Sequence, residues 1–179
     1  MTLWLTHPKP PFTRFKRFAL KSSTIYYQTM PYYKLEELPQ SQLEALYDAP
    51  VARLATADRS GVPHVVPICF GVTNGCIFIL LDHKPKRTRL TNLKRVKNIL
   101  ENSHVSLIID HYDNDWSNLW YILISGHAVL LEETPERPEV LHTLVHKYPQ
   151  YESIDLYSNP LIKIVPSKVL IWAYSDKGN

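Results

Sequence analysis

"VARLATADRSGVPHVVPICFGVTNGCIFILL", residues 51–81, strings apolar and β-branched runs between two turn signals, Asp58 to Gly61 and Asn74-Gly75. Asn-Gly between two such runs is a strong short hairpin signal, because both residues accept the positive φ of a tight type I′ turn. The stretch therefore predicts three antiparallel strands, at 51–57, 63–72 and 76–81. Upstream, "PQSQLEALYDAP" sets Ser41 and Glu44 at capping-box spacing ahead of Leu43 and Leu46, which predicts a short helix.

Downstream, "LLDHKPKRTRLTNLKRVKNILEN" (80–102) leaves the third strand, turns at Pro85 and collects Lys84, Lys86, Arg87, Arg89, Lys94, Arg95 and Lys97 without an intervening acid. Leu93, Val96, Ile99 and Leu100 recur at helical spacing, so the stretch feeds a helix. "HVSLIIDHY" reads as a strand, "DNDWSN" as a turn and "LWYILISGHAVLL" as a long strand. Thr134-Pro135 is a helix start, the helix running to about Tyr148. "LIKIVPSKVLIWAY" closes the chain with one or two further strands. Strands joined mostly by tight turns, with helices inserted between some of them, predict an α+β, mainly β fold: a closed or nearly closed antiparallel barrel.

The 179 residues, 45% of them hydrophobic, suffice for one domain with a sizeable core. That domain is placed at 31–179. Residues 1–30 are basic and proline-spotted and read as an extension; a disordered native tail and an upstream addition to a true start at Met30 both stay open. No apolar run reaches the roughly 18 residues of a membrane span, and two cysteines without ligand spacing fit bland thiols in a reducing cytoplasm.

The net charge of +3 hides an asymmetry: residues 1–35 carry +6 and no acid, which leaves the rest at −3. A net negative body argues against a nucleic-acid protein, whose basic footprint normally dominates its domain. The basic cluster at 84–97 is local, which suits a small anionic ligand. With only five glycines, a phosphate has to be held by side chains rather than by a backbone loop. A solvated helix face is the alternative use of such a charge run.

Other motifs are weak. Asp113 and Asp115 have calcium-loop spacing, but the glycine is absent and Ile124 stands where the loop needs Glu, so a capped turn is expected and no metal. His142 and His146 stand at i, i+4 without the glutamate of a zinc helix. Trp116, Trp120 and Trp172 read as core or pocket-wall aromatics. No nucleophile motif is present, so covalent catalysis has no carrier.

Residues 51–72 together with "LLDHKPKRTRLTNLKRVKNILENSHVSLIIDHYDNDWSNLWYILISGHAVLLEE" (80–133) resemble the pyridoxamine 5′-phosphate oxidase-like split β-barrel superfamily. Within it, the likeness is greatest to small proteins described as coenzyme F420-dependent oxidoreductases. The resemblance covers about residues 41–175. It implies a homodimer with two cofactor sites at the subunit interface, binding coenzyme F420 or FMN. It places Arg53 at the cofactor and the strand His64, Val65, Val66 and Pro67 beside its ring. Lys84, Lys86 and Arg87 would grip the phosphate or phosphodiester tail, with Lys94 and Asn98 as weaker carry-overs. The implied activity is hydride transfer to or from a small organic substrate. A non-catalytic flavin-, deazaflavin- or haem-binding protein is the alternative, with His64 or His111 facing iron in the haem case. Authentic pyridoxamine 5′-phosphate oxidase is disfavoured, because its arginine-bearing C-terminal segment has no counterpart here: no arginine follows Arg137.

Overall fold

The computed structural model describes residues 31–81, 92–153 and 156–174. The extension at 1–30 and the predicted tail grip Lys84, Lys86 and Arg87 lie outside the described residues. Three helices, α1 (Gln40–Asp48), α2 (Lys94–Glu101) and α3 (Arg137–Lys147), accompany seven strands: β1 (Ala52–Ala57), β2 (Pro63–Ile68), β3 (Gly71–Thr73), β4 (Cys76–Leu80), β5 (His104–His111), β6 (Trp120–Leu131) and β7 (Leu161–Ala173).

All strands join one antiparallel sheet in the order β2-β1-β5-β6-β7-β4-β3. β2 and β3 follow one another in the chain yet stand at opposite ends of that order. The sheet must therefore curl until its ends meet within the reach of Cys69 and Phe70, which makes the predicted split barrel. The expected single strand at 63–72 is two strands, because the chain changes sheet edge at Phe70. Tyr148 from the end of α3 holds that crossing: its hydroxyl accepts the Phe70 N–H at 3.0 Å and lies 3.1 Å from Phe70 O and 3.0 Å from Pro50 O. Burial pushes the Tyr148 phenol up to about 12.

The Asn74-Gly75 turn forms as read, with φ of 50° and 68° and Thr73 paired to Cys76. β4 is apolar throughout because both its faces are covered. Ile77 and Ile79 enter the main core with Leu54, Leu107, Ile122 and Ile164, while Phe78 and Leu80 pack under α3 with Val140, Leu141 and Leu144. The C-terminal segment is one strand. It is interrupted opposite Ser125/Gly126, where Ser125 faces Lys168, Gly126 faces Pro166 and Ser167 is extra. A proline cannot donate to the ladder, so a bulge is where Pro166 fits. Gly126 is required there, because a Cβ would stand 2.4 Å from Val165 O.

Two helix starts differ from the reading. α1 begins at Gln40 with Pro39 as its cap, so Ser41 sits inside the first turn and donates to Gln42 Oε1 at 2.9 Å instead of capping. At α3, Thr134 opens a preliminary turn by accepting the Arg137 N–H at 3.1 Å, and the helix proper starts at Arg137. The Arg137 guanidinium, 8% exposed, fastens this end by donating to the carbonyls of Glu132, Leu156 and Asn159. No helix among the described residues is long and apolar enough to cross a membrane.

Candidate functional site

Strand pleating sends alternate side chains to opposite faces, and the registers assign the residues of interest. In β1, Ala52, Leu54 and Thr56 are buried, while Arg53, Ala55 and Ala57 turn outward. Arg53 stands opposite Pro67 and Ile108, and Ala55 opposite Val65 and Ser106. Continuing across β5 and β6, Ser106 faces Ser125, Ser125 faces Lys168, Ile108 faces Leu123 and Leu123 faces Leu170. Two cross-strand rows result on the outer face: Val65–Ala55–Ser106–Ser125–Lys168 and Pro67–Arg53–Ile108–Leu123–Leu170.

The first row has three small side chains at its centre, which keeps the sheet surface low. They line a cleft of about 410 Å³ bounded by Ala55, Ala57, Pro63, His104, Ser106 and Ser125. The second row is apolar except for Arg53. Its guanidinium is half-exposed and paired with Asp110 on β5, two residues beyond Ile108 on the same face. This answers why an arginine interrupts an apolar strand: it looks away from the core and meets a carboxylate from a neighbouring strand. Arg53 and Asp110 border a second cleft of about 410 Å³ with Pro50, Val51, His111 and Trp120. His111 stacks on Trp120 with ring centres 6.1 Å apart and planes 19° from parallel.

The structure separates the predicted β2 residues. Val65 and Pro67 share the outer face with Arg53, and Val65 is 60% exposed. His64 and Val66 point to the opposite side, and Val66 packs against the core. Lys94 reaches the β1–β2 turn, where its ammonium donates to Asp58 Oδ2 at 2.9 Å. Asp58 also accepts from Ser60 N–H, Ser60 Oγ–H and Val62 N–H, and these bonds, Ser60 foremost and then Lys94, hold its carboxyl far below the usual range.

Asn98 lies within the core, 0% exposed, where its Nδ2 donates to Thr56 Oγ1 at 3.0 Å. The Thr56 hydroxyl in turn donates to His64 O at 3.4 Å. Asn98 and Thr56 thus fix the backbone of β2 from beneath the outer face. The expected apolar stripe of α2 shifts accordingly: Val96 and Ile99 are buried, but Leu100 is 65% exposed.

"DNDWSN" is the capped turn expected: Asp113 Oδ1 accepts Asp115 N–H at 2.7 Å, and Asp115 Oδ1 accepts the Ser117 N–H and hydroxyl. The Ser117 bonds hold the Asp115 carboxyl below its usual range. Among the described residues no group of three or more His, Cys, Asp or Glu side chains is placed to hold a metal ion. A larger depression of about 810 Å³, lined by α3 with Pro149, Tyr151, Glu152, Leu156 and Tyr157, holds His142 and His146 and none of the predicted site residues.

Arg53 and β2 are conspicuous in the sequence, whereas Asp110, Thr56 and the Ala55–Ser106–Ser125 row are not. No local signal marks the row, because it exists only once three strands from distant parts of the chain are in register.

The sequence profile of the pyridoxamine 5′-phosphate oxidase family matches residues 38–173. The chain belongs to this family. No curated protein matches it by sequence. Solved structures of the same fold include a conserved hypothetical protein from Mycobacterium tuberculosis, 17% identical with a TM-score of 0.63, covering 79% of this chain and 89% of that one. An FAD-binding protein from Mesorhizobium loti is 18% identical with a TM-score of 0.56, over 77% of this chain and 96% of its own. The haem storage protein HutZ from Vibrio cholerae is 15% identical with a TM-score of 0.56, over 75% and 93%. At these identities the likeness establishes the family's fold.

Proposed function

We propose that the chain is a flavin-type cofactor-binding oxidoreductase that works as a homodimer, with the outer face of β1, β2, β5 and β6 against the cofactor and the partner. The observation that carries this reading is the low row Ala55–Ser106–Ser125, flanked by Val65 and Lys168. A planar tricyclic ring needs a flat floor of short side chains, and branched or long ones at these positions would prevent close approach. The residues present fit such a ring. Arg53 offers a cation at the edge of the same face, steadied by Asp110, and Pro67 and Ile108 flank it without polar demands.

When bound, a flavin or deazaflavin supplies the hydride chemistry itself. The chain's own residues orient the ring, exclude water from one side and present charge near it. Thr56 and Asn98 keep β2 at fixed height beneath Val65. Lys84, Lys86 and Arg87 are proposed to take the anionic end, each charge-assisted contact worth about 1.5–3 kcal/mol. Coenzyme F420 and FMN both present such an end, and the resemblance favours F420. The acceptor would be a small organic molecule bound over the exposed ring side.

The same face is proposed to carry the dimer contact. Val65 is 60% exposed, and Pro67, Ile108, Leu123 and Leu170 make the neighbouring row apolar apart from Arg53, a surface of the kind an interface covers. The likeness to a haem storage protein supplies a second reading, with the exposed His111 beside the Arg53 cleft as the group to face iron.

Titration of the purified protein with FMN, F420 and haemin tests these readings together. Flavin-type binding predicts ring-fluorescence changes that saturate with FMN or F420, weakened at least about tenfold by Lys86→Ala and by Arg87→Ala. A Soret band with haemin alone, lost in His111→Ala, would replace it with haem binding. Unchanged FMN and F420 affinities in both cation variants would rule out the proposed grip.

A further inference from the structure

We propose that, in the chain free of cofactor and partner, His104 and His127 form a binding site for a divalent transition-metal ion that favours imidazole (Cu²⁺, Ni²⁺ or Zn²⁺), with two protein ligands and its remaining positions open to water or an added ligand. The two residues stand directly opposite each other on β5 and β6. Ala128 N–H donates to Ser103 O at 2.8 Å, so the neighbouring His104–His127 pair is of the non-hydrogen-bonded type, whose side chains approach most closely. Both are exposed, and His104 opens into the cleft beside Ser106 and Ser125.

The ring centres are 4.5 Å apart with planes inclined by 60°. Metal–nitrogen bonds of about 2.0–2.1 Å place two imidazoles bound side by side on one ion with ring centres roughly 4.5–5 Å apart. The pair already has that spacing, and its tilt is not that of parallel stacking.

The tautomer of His104 is also set. Asn102 Oδ1 accepts the His104 backbone N–H at 3.1 Å, which identifies it as an acceptor. The His104 Nδ1 lies 3.1 Å from the same oxygen and must therefore carry the proton. That leaves the Nε2 lone pair for a metal, and the Asn102 carbonyl supplies the supporting bond that ligating histidines usually have. His127 Nδ1 has the Ser103 hydroxyl at 3.4 Å in the corresponding place. No third His, Cys, Asp or Glu joins them among the described residues, so the site has open coordination positions and takes metals that tolerate two imidazoles with water.

The test is titration of the untagged full chain with CuCl₂, followed by calorimetry and electron paramagnetic resonance. A His142→Ala/His146→Ala background removes the other histidine pair. The expected result in that background is one Cu²⁺ per chain with coupling to two nitrogens. His104→Phe and His127→Phe should each weaken binding at least about tenfold and reduce the coupling to one nitrogen, with His127→Gln as a second variant should Phe disturb folding. Asn102→Ala should weaken binding about tenfold or more without changing the nitrogen count. Equal Cu²⁺ affinity in His104→Phe, or a two-nitrogen signal that disappears once His142 and His146 are replaced, would overturn the assignment.

Discussion

Replacing Thr56 by valine would leave the backbone untouched but remove a hydroxyl that both accepts from Asn98 and donates to His64 O. Thr56 is 3% exposed and Asn98 0%, so water cannot replace the lost partner. The Asn98 amide would then be buried with a donor unsatisfied, in addition to its Oδ1, which has no partner among the described residues. Such a change costs about 1–3 kcal/mol. For a domain of this size each kcal/mol lowers Tm by about 2–4 °C, so the middle of that range corresponds to a fall of roughly 6 °C. Asn98→Leu should cost less, because it removes the orphaned amide while Thr56 can still donate to His64 O. In the double variant both partners are apolar, and its stability should lie within about 1 kcal/mol of the Asn98→Leu protein. Urea unfolding of all four proteins forms a cycle whose expected coupling is at least about 1 kcal/mol. Additive effects, with the double variant as unstable as the two losses summed, would refute the claim that Asn98 acts through Thr56.

Gly126→Ala places a methyl group 2.4 Å from Val165 O at the β6–β7 bulge, and thermal unfolding should show a loss of about 1–3 kcal/mol; an unchanged Tm would contradict the bulge. Burial lowers the Lys147 ammonium, which lies 3.8 Å from the Phe70 ring centre, to about 8 from 10.5. Between these values the unfolded chain holds a proton that the folded one has released, so wild-type stability gains a contribution as pH rises from about 8 to 10.5. Lys147→Met should be more stable than wild type at pH 7, with the advantage shrinking across that window; a pH-independent gap would refute the burial. Val65→Glu on the outer face should convert a dimer to a monomer in sedimentation runs without changing the circular dichroism of the fold, and a wild-type monomer at high concentration would remove the dimer proposal.

The fold was legible where its determinants are local. Asn74-Gly75 specifies its turn through φ preferences alone, and the unbroken apolar run of β4 reports two covered faces. The split of 63–72 was not legible, because Phe70 is apolar like its neighbours and its hydrogen bonds go to Tyr148, 78 residues away. The same limit governs the site. Arg53 is conspicuous in an apolar strand, but its partner Asp110 is 57 residues distant. Ala55, Ser106 and Ser125 are unremarkable in sequence and become a floor only through register. Asn98 shows how helical spacing misleads: apolar periodicity favoured Leu100 for the core, while the structure buries an amide whose partner comes from β1.

The central claim is that a planar cofactor ring lies on the low row of small side chains. Ser106→Leu raises that floor by a branched side chain at a half-buried outer position, leaving the core beneath it intact. Fluorescence titration of wild type and Ser106→Leu with FMN and F420, alongside matched melting curves, measures it directly. The account predicts unchanged melting and at least about a tenfold weaker Kd for the cofactor that wild type binds. Equal affinity in a folded Ser106→Leu protein would show that the ring rests elsewhere.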